Sequence, residues 1–157
     1  MSVLRMAPAL LERLCAHGEQ TYPQECCGAL LGRPEPGGWR VVAVAPAANA
    51  CTGEEHIRYR IAPDELLKIA CQAREQELEI AGFYHSHPDH PAQWSPRDLA
   101  EAYWLGCAYV IIAVAGGRAG ATQAFLLAGA TVEDKCFEPL PIEAVDEPVR
   151  QEGCEER

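Results

Sequence analysis

The chain contains no run of about 18 apolar residues, so nothing in it reads as a membrane span. The first residues, Met1 to Met6, lack the long apolar stretch of a signal peptide, which makes the cytoplasm the expected compartment. Basic residues are scarce: 13 Lys and Arg stand against 23 Asp and Glu, a net charge of −10. Such a surface repels phosphates and argues against nucleic acid as a partner. None of the eight cysteines has another three positions on, so the spacing of a zinc ribbon or a redox dithiol is missing. Reduced thiols, several of them buried as small apolar groups, are expected instead. No histidine follows His90, and there is no internal repeat.

What is present fits one globular domain of 157 residues with an ordinary 48% of hydrophobic residues. Domain and tail are expected to divide at 142/143. Residues 133 to 157 hold nine acids against three bases, and from Glu143 onward the composition reads as a flexible, solvated acidic tail. Leu10, Leu11 and Leu14 recur at helical spacing between Ala7 and Gln20. A second helix is expected from Pro63 to Glu77, with Leu66, Ile69, Ala70 and Ala73 on one face. Cys27 to Gly32 and Trp39 to Ala45 form a hairpin, and Arg58 to Ile61 a short strand. Tyr109 to Ala115 is apolar enough for a buried central strand. Two strands should follow the Gly116-Gly117 turn, Ala121 to Leu127 and Ala130 to Phe137, the second nearer an edge. Helices flanking a mixed sheet give an α/β (α+β) layered domain.

The chemistry concentrates in residues 82 to 98. Glu79 to Tyr84 reads as a strand that stops at Pro88, and side chains two apart on a strand share a face. His85 and His87 therefore leave on one side and Ser86 on the other. Two neutral imidazoles and one carboxylate are three of the four ligands of a catalytic zinc, the fourth place being left for water. Asp98 can supply the carboxylate if the chain turns back after Pro88, which Pro88, Pro91 and Pro96 favour. Ser95-Pro96-Arg97-Asp98 is also a capping box, and that helix, expected to run to about Leu105 with Gly106 as its cap, would fix Asp98 in place. His85-x-His87-x-Asp89-His90 also matches metallo-β-lactamase-like hydrolases, a fold that needs further histidine ligands downstream, and none is there.

His85-x-His87-Pro88, Ser95-x-x-Asp98 and the upstream Glu25 in Pro23-Gln24-Glu25-Cys26-Cys27-Gly28 together resemble the JAMM/MPN+ metalloprotease family, most of all its small free-standing bacterial and archaeal members. The resemblance runs from about Leu4 to about Pro139 and takes in Asn49 and Arg58 to Pro63. It implies a three-layer, cytidine-deaminase-like arrangement with a curved mixed sheet between helices. A true cytidine deaminase is excluded for want of its Cys-x-x-Cys pair. It also implies one Zn2+ per chain on His85, His87 and Asp98, Glu25 as general base, and Ser95 as hydrogen-bond donor to the oxyanion. Without it nothing would single out Glu25 over Glu54 or Glu55.

The implied reaction is hydrolysis of a peptide or isopeptide bond after the Gly-Gly tail of a ubiquitin-like or sulfur-carrier protein, for example removal of a C-terminal cysteine. A flexible tail could enter as an extended strand, walled by the loops 88–94, with His90 and Trp94, and 46–55. Trp94 reads equally well as a packing residue. A non-catalytic scaffold of the same fold should lack some of these five positions, and a cell-wall peptide hydrolase would favour an export signal or a partner domain. The oligomeric state, a homodimer included, stays open.

Overall fold

A computed structural model describes residues 2–146. Eight strands form one mixed sheet: β1 (Val3–Met6), β2 (Cys27–Glu35), β3 (Gly38–Ala47), β4 (Glu79–Pro88), β5 (Ala108–Ala115), β6 (Arg118–Ala128), β7 (Cys136–Leu140) and β8 (Ile142–Ala144). Three helices accompany them: α1 (Pro8–Thr21), α2 (Pro63–Glu75) and α3 (Pro96–Glu101). The strand order is β7-β6-β5-β4-β2-β3-β1-β8. The two outermost strands, β7 and β8, are separated in sequence by Pro141 alone. The sheet must therefore curve until its edges nearly meet, and the Leu4 N–H donates to the Pro141 carbonyl at 2.9 Å beside that seam.

The sheet curves around α1. Leu10, Leu14 and Gly18, four residues apart, form the helix's buried stripe. Against it pack Leu4, Met6, Leu30, Val41, Val110, Ile112, Val114 and Leu140, drawn from strands across the whole sheet. Gly18 marks the closest approach, because a Cβ there would lie 3.0 Å from Val114 Cγ2 and 3.4 Å from Ser86 Cβ. The opposite face packs Ala29, Leu31, Phe83, Tyr109 and Leu127 under Ile69 and Ala73 of α2. Period-two alternation divides these strands cleanly: Leu30 faces α1, and Ala29 and Leu31 face α2. The layers are helix, curved mixed sheet and helices, as expected.

Several expected elements differ in extent. β1 and β8 were not foreseen, and β8 carries Glu143 and Ala144 beside Arg5 and Met6. The expected 142/143 boundary thus falls inside a strand, because the open side of β1 takes up the next stretch of chain; the rest of the expected tail, 147–157, lies outside the described residues. Residues 58–61 are not a strand but part of an irregular segment that leads into α2. α3 ends at Glu101, with Ala102 already extended at φ −88° and ψ 124°. Trp104 is drawn instead against Phe83, edge-on at 5.2 Å, and its N–H donates to the Tyr109 hydroxyl at 3.2 Å. The strand expected over 130–137 begins only at Cys136, as β7. Ahead of it the Asp134 carboxylate closes a turn by accepting the Thr131 N–H at 2.7 Å. The expected edge position holds, since β7 is outermost. All seven described cysteines are free thiols, and among the described residues no helix is long and apolar enough to cross a membrane.

Candidate metal centre

β4 lies between antiparallel β2 and parallel β5, with ladder bonds on both sides. Phe83 of this strand faces α2 and Tyr84 faces α1. By the same alternation His85 and His87 emerge beyond Phe83 on the α2 side, while Ser86 turns toward α1 and its Oγ accepts the Cys26 N–H at 2.8 Å. The chain then reverses at Asp89, a non-glycine residue at φ +58°. Aspartate tolerates this left-handed conformation better than most residues. Here its carboxylate is held by the Tyr22 hydroxyl at 2.6 Å and the Gly116 N–H at 2.8 Å, and its own N–H donates to the Val114 carbonyl at 2.7 Å. Asp89 is thus the turn residue after the histidines and stands outside the donor cluster, contrary to the metallo-β-lactamase pattern.

The reversal brings α3 back over the strand end. The capping box forms as expected: the Asp98 N–H donates to Ser95 Oγ at 3.1 Å and the Ser95 N–H to Asp98 Oδ2 at 2.8 Å. Three donor atoms then converge. His85 Nε2 and His87 Nε2 are 3.1 Å apart, His87 Nε2 is 3.1 Å from Asp98 Oδ2, and His85 Nε2 is 3.3 Å from Asp98 Oδ1. A tetrahedral ion with bonds of about 2.0–2.2 Å has edges of roughly 3.3–3.6 Å, so these separations are close to what such an ion requires. Among the described residues His85, His87 and Asp98 are the group of potential ligands so gathered.

The surroundings suit a cation. His87 Nδ1 lies 2.9 Å from the Pro91 carbonyl, which can only accept. Nδ1 must carry the proton, leaving the Nε2 lone pair pointed at the cluster. The His85 ring is 2% exposed and stacks on Tyr59 at 4.5 Å and 22°. Burial lowers the His85 pKa, which keeps that imidazole neutral. For His87 burial also lowers, but the Asp98 carboxylate and the Pro91 carbonyl outweigh it and the pKa rises. Burial alone would raise Asp98, but the two histidines beside it and the Ser95 N–H hold its carboxyl well below the usual range. Two imidazoles and an ionised carboxylate make a donor set that fits a borderline divalent metal such as zinc.

Glu25 lies in the connection from α1, two residues before β2, and lines the same cavity as Ser95 and Asp98. It is 4% exposed and its Oε1 has no hydrogen-bond partner. Burial pushes its carboxyl up to about 8, partly offset by the nearby His87. With His87, His90, Trp94, Ser95 and Asp98 it lines a cavity of about 300 Å³. Trp94 is half-exposed at this wall and also packs on Phe137, centroids 5.6 Å apart, so both readings of it hold. Of the 46–55 loop, the second expected wall, no residue lines this cavity; the neighbouring Ile57 does. His56 is exposed, as expected.

Thus four of the five positions singled out in the sequence, Glu25, His87, Ser95 and Asp98, line one cavity, and the fifth, His85, joins His87 and Asp98 in the donor cluster at its edge. Residues that sequence reasoning passed over support them. Tyr59 was placed in a strand rather than against His85, and the Pro91 carbonyl carries no side-chain signal at all. Lys135 closes the far end of α3: its Nζ donates to the carbonyls of Ala102 at 2.7 Å and Ala100 at 3.1 Å. The Pro88-Asp89 pair, a turn-forming dipeptide, is the one local signal that could have marked Asp89.

Comparison with known proteins agrees with this geometry. A family model described as prokaryotic homologs of the JAB domain matches residues 7–127. A protein of Thermus thermophilus named probable TtuB-protein conjugate cleaving protease is 40% identical over 117 residues, 74% of each chain. A Haloferax volcanii protein named desampylase is 32% identical over 89 residues, 57% of this chain and 62% of that one. Among solved structures, a Desulfitobacterium hafniense protein superposes with a TM-score of 0.75 at 24% identity, covering 91% of this chain and 94% of the other, a likeness of fold alone. A Salinibacter ruber protein superposes at 0.68 with 36% identity, covering 92% and 95%. The chain belongs to the prokaryotic JAB-domain family, the small free-standing JAMM-type proteins that its histidine, serine and aspartate pattern resembles.

Proposed function

We propose that this protein is a zinc-dependent peptidase or isopeptidase that hydrolyses the amide bond after the C-terminal Gly-Gly tail of a ubiquitin-like or sulfur-carrier protein. The observation that carries the reading is the His85–His87–Asp98 donor cluster, two of whose members share a cavity with a buried Glu25 carboxyl whose Oε1 has no hydrogen-bond partner. His85, His87 and Asp98 would hold one ion per chain. When bound, that ion supplies a Lewis acid that polarises the scissile carbonyl and acidifies a water.

The protein's own groups do the rest. Glu25 accepts a proton from the attacking water and returns it to the departing amine nitrogen, so that a C–O bond forms and the C–N bond breaks. Its raised pKa suits both halves of that exchange, because a carboxyl near neutrality can give back the proton it takes. Ser95 Oγ accepts the Asp98 N–H, which leaves its hydroxyl proton free to be donated to the oxygen of the developing tetrahedral centre. Loss of such a donor costs ~100-fold or more in rate.

The substrate class is carried over from the relatives, whose names describe a protease that cleaves TtuB–protein conjugates and a desampylase. A cavity of about 300 Å³, walled by Trp94, His90 and Pro91, suits a slim extended tail rather than a folded surface. Seven free thiols agree with a reducing, cytoplasmic setting. The test is to incubate the zinc-loaded protein with a ubiquitin-like sulfur carrier that bears one extra C-terminal residue, and to weigh the products. Removal of that residue by the wild type and not by Glu25→Ala is expected. An intact carrier, or equal removal by both, sinks the reading.

A further inference from the structure

Asn49 lies in the segment after β3 and touches none of the three clustered donors. Its side chain is nonetheless saturated. Nδ2 donates to the Arg58 carbonyl at 2.9 Å and to the Glu25 carbonyl at 3.4 Å. Oδ1 accepts the Cys51 N–H at 3.0 Å and the Arg60 N–H at 3.1 Å. A carboxamide offers two donors and two acceptor sites, and here all four are spent on backbone. Three of the four partners bear on the site. One is the carbonyl of Glu25 itself, and the other two flank Tyr59, whose ring stacks on His85.

The placement matters because the Glu25 carboxyl is buried but its Oε1 is fixed by no hydrogen bond. Its position therefore follows from where the backbone puts it. That backbone is tied on one side by the Glu25 N–H to the Glu55 carbonyl at 2.7 Å and on the other by Asn49. No other side chain type fits all four links. Aspartate keeps both acceptors but sets an anion against two carbonyls. Glutamine is a methylene too long, and alanine makes none of the bonds.

We propose that Asn49 is a positioning residue: one amide that sets where the Glu25 carboxyl and the Tyr59 ring stand, without touching substrate or metal. This rests on the reading of Glu25 as the base. Displacing a catalytic group by about 1 Å can cost ~100-fold in rate, with ground-state binding little changed.

The test compares Asn49→Asp and Asn49→Ala with Val41→Ala, a core substitution on the α1 side of the sheet. Each is assayed equally far below its own melting temperature. Both Asn49 variants should bind one zinc per chain, because β4 and α3 hold the ligands independently. Their kcat should fall ~10- to 100-fold with KM within about threefold, while Val41→Ala keeps kcat. Amide exchange supplies a readout that needs no turnover. In Asn49→Ala the N–H groups of Cys51, Arg60 and Glu25 should exchange at least ~10-fold faster, and in Asn49→Asp the first two should stay protected. A kcat loss no greater than that of Val41→Ala overturns the proposal. If the wild type cleaves no substrate, the function proposed above fails instead. Exchange then decides this inference alone, and unchanged protection in Asn49→Ala defeats it.

Discussion

The cluster is gathered from two regions built on opposite principles. β4 is a central strand, bonded on both sides, with eight consecutive buried residues from Ala81 to Pro88. α3 is six residues long and buries none of them. A helix that short cannot sustain itself in water. It stands on polar contacts that grip each end, the capping box at Ser95 and Asp98 and the Lys135 ammonium at the last carbonyls, and on half-buried Leu99 packed against the α2-side core. The imidazoles are thus placed by a buried strand bonded on both sides, and the carboxylate mainly by a few hydrogen bonds. Damage to the two regions should therefore look different.

The largest effects fall on the donors. His87→Ala and Asp98→Ala should each lose the metal, read as zinc per chain after dialysis, whereas Glu25→Ala should retain it and lose turnover by ~100-fold or more. The two metal-free variants should differ in one respect that tests the comparison. Asp98→Ala also removes half the capping box, so the Ser95 amide should lose protection against exchange, at a cost of ~1 kcal/mol to the helix. His87→Ala should leave the amides of β4 protected. Equal loss of protection in both would mean that the strand is no firmer than the helix.

Next comes the packing beneath β4. Leu14 is fully buried on α1 and is one of the side chains on which the curved sheet rests. Leu14→Ala should cost ~2–5 kcal/mol, read from the denaturant midpoint. A cost below 1 kcal/mol would show that α1 does not hold the sheet.

A pH effect of similar kind is expected from Glu25. Its carboxyl lies at an ordinary 4.5 in the unfolded chain and at about 8 in the folded one. Between those values the folded protein keeps a proton that the unfolded chain has lost. Stability therefore falls as pH rises through this window and levels off above it. For the metal-free protein, going from pH 6 to pH 9 should cost the wild type about 3 kcal/mol more than Glu25→Gln, which has no such proton to lose. Parallel stability curves for the two proteins would show that Glu25 is not held in a desolvated position.

The same contrast governs what the sequence could disclose. Period-two alternation places His85 and His87 on one face because β4 is regular, and helical spacing finds α1 and α2 because each has an apolar stripe. β1 and β8, of four and three residues, are too short to show a period. The end of α3 was misplaced because Leu99, Ala102 and Leu105 keep helical spacing, while the contact that draws Trp104 away comes from Phe83 on a distant strand. Tyr59 was assigned to a strand because the hydrogen bonds of Asn49 that shape its segment leave no local pattern. Glu25 became a candidate only through family resemblance, since burial, not residue type, sets it apart from Glu54 and Glu55.

The smallest effect separates the two regions most sharply. Lys135 reaches from the segment before β7 to the carbonyls of Ala100 and Ala102, with its ammonium 4.5 Å from the centre of the Tyr103 ring. A cation there complements the negative end of the helix and satisfies carbonyls that otherwise lack partners. Lys135→Met keeps the length of the side chain and removes the charge and the donors. Fraying from that end loosens Asp98, so zinc affinity should fall ~10-fold, as for other residues that orient a metal ligand. Global stability should move by less than ~1 kcal/mol, because no buried apolar contact is lost. Competition against a chelator of known affinity and a denaturant titration measure the two separately. Leu14→Ala should give the converse, a large loss of stability with zinc affinity unchanged wherever the protein is folded. If Lys135→Met instead shifts the midpoint and spares the affinity, the carboxylate is positioned by the core as the imidazoles are, and the division between the regions fails.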